Sequence, residues 1–330
     1  MNTLLPVASG KGGVGKTLLV ANLGVALAKK GKTVILIDLD LGGSNLHTCL
    51  GVKNRNPGIG NYIYKQTPTL ESLIIPTDVP KLFFIPGDSL LPGTANLQYF
   101  VKKKIIKDIP NLTADFILLD LGGGSAFNTL DFFLTSYSGI IVTVPETTAI
   151  LNSYSFIKSA VYRMLYRSFP SKSEERTAIQ NFLTQRIEGG DVTFTNLIEN
   201  LKQISDSSAQ FAEQQLANFY PRIIMNMGKS ERDLVLGSKL REIVGNNLQL
   251  TIEYIGYIGF EQKASRSILE RVPLRVLFPS SPFSRSIDTI ADTLIHSPEP
   301  KAFHLYESDE DLSELFNKES EIETAESSHG

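Results

Sequence analysis

Gly10-Lys11-Gly12-Gly13-Val14-Gly15-Lys16-Thr17 decides the reading of this chain. The stretch satisfies the spacing G-x-x-x-x-G-K-[ST]. In such a phosphate loop glycines let the backbone curl until successive N–H groups point inward, and the following helix turns its positive end to the same anion. In that arrangement Lys16 reaches the β- and γ-phosphates and the Thr17 hydroxyl ligates Mg²⁺. A second lysine, Lys11, stands directly after the first glycine and narrows the pattern. The flanks agree with it. Leu4 to Ala8 is an apolar run of strand length, and Lys16 to Lys30 puts Leu19, Leu23, Ala26 and Leu27 on one helical face before Gly31 ends it.

Working outward, 330 residues with 42% hydrophobic content suit one α/β domain over about residues 1–300. No apolar run approaches the roughly 18 residues of a spanning helix, and the sequence enters a strand with no charged leader, so a cytoplasmic protein is expected. The single cysteine, Cys49, has no partner for an intrachain disulfide or a metal pair and is expected to be ordinary packing. The net charge of -3 hides an asymmetry. Residues 301–330 carry nine acidic side chains against Lys301 and Lys318, which leaves the rest at +4. That acidic segment, poor in apolar anchors, reads as a disordered tail.

Further apolar runs follow at Thr33 to Asp38, Lys81 to Ile85, Asp115 to Asp120, Gly139 to Val144, Arg222 to Asn226 and Tyr254 to Ile258, with helical patterns between them. Near-continuous hydrophobicity predicts strands buried on both faces, hence a mainly parallel twisted sheet with helices on each side. Ligands of such sheets bind beyond the carboxyl ends of the strands. There the chain places Asp38-Leu39-Asp40, Asp120-Leu121-Gly122-Gly123-Gly124 and Pro145-Glu146, carboxylates beside glycine-rich loops. Residues 168–220 depart from the alternation and predict a helical insertion within one crossover. Lys102-Lys103-Lys104 interrupts a helix with Leu97, Phe100, Val101 and Ile105 on its apolar face, and the lysines read as a solvated side.

These segments resemble the MinD/ParA class of deviant phosphate-loop ATPases, and most the flagellar-number branch of FlhG, FleN and YlxH proteins, over roughly residues 3–297. The resemblance is carried by Ser9 to Thr17, Ile37 to Asp40 with Asn45-Leu46, Ile85-Pro86-Gly87 with Ala95-Asn96-Leu97, Asp120 to Gly124, Val144 to Thr148, Asn226 and Tyr254 to Ile258. It implies a nucleotide cradle of Gly10, Lys11, Gly12, Gly13, Val14, Gly15, Lys16 and Thr17, with ATP and Mg²⁺ as cofactors. Lys11 matches the signature lysine that reaches a partner's phosphates in ATP-bound dimers, and Asp40 the aspartate that orients the attacking water. Asp120 matches the aspartate that holds Mg²⁺ through water, and Asp38 supports either Asp40 or the magnesium shell. Asn226 matches the asparagine that reads the adenine edge, and Asn45 and Glu146 are lesser candidates.

The resemblance therefore implies an ATP-dependent homodimer with slow hydrolysis, catalysed by Lys11, Lys16 and Asp40, and a flagellar role with a signal-recognition-type GTPase (FlhF-like) as partner. Three departures stand out. Leu18 replaces a second threonine that would bond the α-phosphate, and no Asp-Gln-Ala activating segment precedes the first strand. The acidic tail takes the place of a basic amphipathic membrane helix and would be repelled by anionic lipid. A division-site or DNA-partitioning ATPase is the alternative. Direct nucleic-acid or membrane binding has no strong signal, since the body is only mildly basic. An iron–sulfur scaffold lacks its cysteine pair, and a nucleotide adaptor that never hydrolyses has Leu18 as its one hint.

Overall fold

Side chains alternate across each buried strand, so a continuous apolar run supplies two cores at once. The computed structural model describes residues 2–53, 55–87, 99–187 and 193–296. Among them the strands are β1 (Thr3–Ser9), β2 (Val34–Leu39), β3 (Ile75–Pro76), β4 (Leu82–Ile85), β5 (Phe116–Gly123), β6 (Ile140–Thr143), β7 (Arg222–Gly228) and β8 (Glu253–Gly259). They form one sheet in the order β3-β4-β2-β5-β1-β6-β7-β8. Every neighbouring pair is parallel except β3 with β4. The mainly parallel sheet with helices on both faces is thus the architecture found. β3 is an addition: two residues, one of them proline, carry no periodic signal.

In β2 and β5, Ile35, Ile37, Ile117 and Leu119 face one core, while Val34, Leu36, Phe116 and Leu118 face the other. Each such side chain contributes on the order of 1.5–3 kcal/mol by leaving water. The helices Lys16–Lys29 and Pro282–His296 cover the second face and pack on each other. The 22-residue helix Thr147–Ser168 lies on the first.

The excursion before β7 consists of the helices Glu174–Ile187, Phe194–Ile204 and Asp206–Asn218. The last begins at Ser205, whose hydroxyl accepts the Ser208 N–H at 3.0 Å. Ile179, Phe182, Leu197, Leu201 and Phe219 belong to the same core as the adjoining sheet face. Tyr162 joins the two, its ring centroid 6.0 Å from Phe182 and 6.1 Å from Phe194. Ala95-Asn96-Leu97 and the acidic segment from residue 301 lie outside the described residues.

One expectation is corrected. Lys103 and Lys104 are exposed, but Lys102 is buried and paired with Asp131, which also takes Arg163 in a two-pronged bond (2.8 and 2.9 Å) and Arg167 at 2.7 Å. Asp131 is 2% exposed and ties the helices Tyr99–Asp108, Phe127–Phe133 and Thr147–Ser168 together. The lysine run hid this because its partner comes from another helix.

Burial by itself would raise the Asp131 carboxyl, but hydrogen bonds and charge from Arg163, Lys102 and Arg167 outweigh it and hold it below the ordinary 3.8. With the folded value below the unfolded one, this stabilisation is complete at neutral pH and fades as pH falls below about 4. Asp131→Asn should lower the unfolding free energy in urea by about 3–5 kcal/mol at pH 7. The gap to the unaltered protein should shrink in acid, and a gap constant down to pH 3 would contradict the assignment.

Candidate functional site

β1 ends at Ser9, whose hydroxyl donates to the Lys11 carbonyl at 2.9 Å and starts the curl of the loop. Gly10 touches the main chain of the helix Thr147–Ser168. A Cβ on it would lie 2.3 Å from the Asn152 carbonyl carbon, so no larger residue fits without moving that helix. Gly15 takes φ of 80°, in the left-handed region, and hands the chain to the helix at Lys16.

Lys16 and Asp120 form an ion pair in which the lysine is 7% and the aspartate 1% exposed. The register of the sheet brings the site together. Asp120 on β5 lies opposite Val7 on β1 and Asp38 on β2, and neighbours in a parallel ladder point to the same face. Burial, and then the Asp120 carboxylate, push Asp38 up to about 8. Asp120 is itself raised by burial, opposed chiefly by Lys16.

Asp38 holds the loop that follows it. Its Oδ1 accepts the Asp40 N–H and its Oδ2 the Leu46 N–H, each at 3.1 Å. The Asp40 carbonyl accepts from Gly43 N at 3.0 Å and from the Ser44 hydroxyl at 3.1 Å, which leaves the Asp40 carboxylate beside Gly43 and Gly122. Residues 40–46 are therefore a tight turn hung from one buried carboxylate.

Around these groups lies a cavity of about 350 Å³, lined by Gly12 to Leu18 with Ser9, Asp40, Asn45, Thr48, Cys49, Gly123 and Ile268. The structure thus gathers Gly12 to Thr17 and Asp40 at one opening, with Asp120 bonded to Lys16 and Asp38 opposite Asp120 on the next strand. Ile268 and Thr48 escape sequence reading because an apolar residue or a threonine in a helix has no local mark of a cavity wall. Asn226 is outside this lining. It is buried at the end of β7, and its Nδ2 donates to the Val14 carbonyl at 2.9 Å.

Lys11 reaches out of the loop to Glu146 at 2.5 Å, in the same chain. The hydrogen bond and charge of Lys11 hold the Glu146 carboxyl below its usual range, with Lys229 adding to the effect. Glu146 begins the helix Thr147–Ser168 that Gly10 also touches.

The donor set fits Mg²⁺ with a polyphosphate. Asp120 Oδ2 is buried with no hydrogen-bond partner, and the Thr17 hydroxyl is near enough to the same carboxylate to favour its charged form. Among the described residues no three His, Cys, Asp or Glu side chains converge as a cage. This is the pattern of an ion that keeps waters and takes phosphate oxygens beside one or two protein ligands. Asp38, with each oxygen on a loop amide, is placed to shape the turn, and Asp120 carries the open oxygen.

Residues 5–274 match the family model for the CobQ/CobB/MinD/ParA nucleotide binding domain. The chain is 28% identical over 308 residues to the flagellum site-determining protein YlxH of Helicobacter pylori, covering 91% of this chain and 84% of that one. Over 155 residues it is 34% identical to the septum site-determining protein MinD of Synechocystis, covering 46% and 56%. Among solved structures it resembles MinD from Pyrococcus horikoshii complexed with Mg-ADP, with a TM-score of 0.62, 21% identity and 92% and 99% of the two chains covered. The MinC:MinD complex of Aquifex aeolicus matches with a TM-score of 0.59, 23% identity and 92% and 98% coverage.

Burial, then the charges of Asp120 and Asp38, push the Cys49 thiol up to about 12 although it lines the cavity. The native protein should therefore react with a thiol-specific reagent at pH 8 at least about a hundredfold slower than the urea-unfolded chain. Equal rates, followed by absorbance, would contradict this.

Proposed function

The chain belongs to the CobQ/CobB/MinD/ParA family of nucleotide-binding domains, and from that premise we propose that it is an ATP-dependent dimerising switch with slow, Mg²⁺-dependent hydrolysis. The observation that carries the reading is Lys11 standing outside a loop whose interior already holds Lys16, Asp120 and Asp40. One lysine serves the chain's own phosphates, and the other, held by Glu146 at the surface, serves a second copy's. Lys16 and the loop N–H groups would bind the β- and γ-phosphates, and Thr17 and Asp120 would hold Mg²⁺. The ion would supply charge neutralisation on the phosphate oxygens. Asp40 orients the attacking water, and Lys11 stabilises charge on the transferring group in trans, as an arginine finger does. No covalent intermediate is needed.

Exposed apolar side chains support a protein partner on this face. Phe127, Leu151, Phe260 and Leu269 are all exposed and lie in segments that leave the carboxyl ends of β5, β6 and β8. In the dimer Lys11 exchanges Glu146 for phosphate.

The likeness to YlxH along most of both chains favours a role in placing or counting flagella, in the cytoplasm or recruited to the membrane or pole through a partner such as a flagellar GTPase of the signal-recognition type. The match to septum site-determining proteins favours a second reading, a positioning ATPase of the division site or of a DNA cargo.

Lys11→Ala should abolish ATP-induced dimerisation in sedimentation and lower hydrolysis at least about a hundredfold. An unaltered ATP dimer would remove Lys11 from its role. Asp40→Ala should bind ATP and remain dimeric, and hydrolysis at the normal rate would defeat its assignment. Deleting the gene in a flagellated host should change flagellar number or position, and an unchanged pattern would favour the second reading.

A further inference from the structure

A loop that turns its N–H groups inward turns carbonyls outward, and an outward carbonyl that ends in the protein interior needs a donor. Val14 presents that case. It is buried, and its carbonyl oxygen accepts from Nδ2 of Asn226, which is also buried and 212 residues away along the chain. β7 is irregular at this point. Its pairing with β8 shifts between Met225 and Gly228, and Met227 takes φ of 58°. Asn226 and Met227 thereby both meet the underside of the loop. A Cβ on Gly15 would stand 2.5 Å from Asn226 Nδ2 and 3.2 Å from Met227 Cε. The turn after the bulge is fixed in its own right. The buried Asp233 carboxylate accepts Lys229 N at 2.6 Å, Ser230 N at 3.1 Å and the Tyr257 hydroxyl at 2.8 Å.

We infer that Asn226 is a positioning residue of the phosphate loop. Its carboxamide holds the Val14 carbonyl outward, so the loop stands with its N–H groups turned in before any anion arrives, and the effect is on polyphosphate of any kind. This role stands beside the adenine-reading role that the resemblance implies, because Val14 takes one N–H of Nδ2 and the carboxamide has a second. The inference rests on reading residues 10–17 as a phosphate site.

The test is Asn226→Ala, titrated calorimetrically with ATP, GTP and inorganic tripolyphosphate in Mg²⁺, together with amide hydrogen exchange over residues 10–17 in nucleotide-free protein. An unsatisfied buried carbonyl should weaken inorganic tripolyphosphate roughly tenfold and both nucleotides at least as much. Exchange of the loop amides should quicken. An unaltered tripolyphosphate affinity would overturn the inference and leave Asn226 at most a base reader, and unaltered exchange would overturn it too. If the alanine variant does not fold, Asn226→Asp keeps the shape without the donor and is held to the same exchange criterion. The exchange arm uses no nucleotide. A failure of the switch reading would instead appear as unaltered protein that does not bind ATP.

Discussion

Two opposite charges taken out of water together, Lys16 and Asp120, set the terms for the rest of this molecule. Each alone in that position would carry a heavy desolvation cost, so neither can be removed without leaving the other stranded. Their meeting depends on distant parts of the chain. The lysine starts the first helix, and the aspartate is delivered by the register that sets β5 against both β1 and β2. The same register brings Asp38 beside Asp120, so one lysine faces two buried carboxylates. Burial and that imbalance together raise Asp38, and Asp120 keeps one buried oxygen without a hydrogen-bond partner.

The two lysines of the loop differ in kind. Lys16 is enclosed and has one partner of long standing. Lys11 is held by an exposed carboxylate, and solvent and salt weaken such a pair. The loop thus carries one enclosed cation and one held at the surface. Because Gly10 and Glu146 both contact the helix Thr147–Ser168, a change in the Lys11–Glu146 pair reaches a helix that the excursion before β7 packs on.

Much of the framework was legible from residue order. Strands buried on both faces write themselves as apolar runs, and the phosphate loop as glycines at fixed spacing, so the sheet, the first helix and the place of Asp38, Asp40 and Asp120 at strand ends could all be read. What could not be read has a common cause: it depends on where a distant residue arrives. Lys102 looked solvated because Asp131 is brought to it by another helix. Asn226 could be matched to a family position, yet its bond to Val14 exists only through a bulge in β7 that no local pattern announces. Ile268 became a cavity wall through the packing of a helix after β8. β3, two residues with a proline, was too short to have a period at all.

That short strand also bears on how copies of the chain can meet. The rim of the sheet beyond β4 is finished by Ile75 and Pro76, running against the direction of all its neighbours, and Pro76 has no N–H to offer an incoming strand. On this side the sheet cannot be lengthened by another molecule's backbone into a ribbon. That rim is thereby closed to open-ended strand addition, and any contact made there is limited to what side chains can recognise.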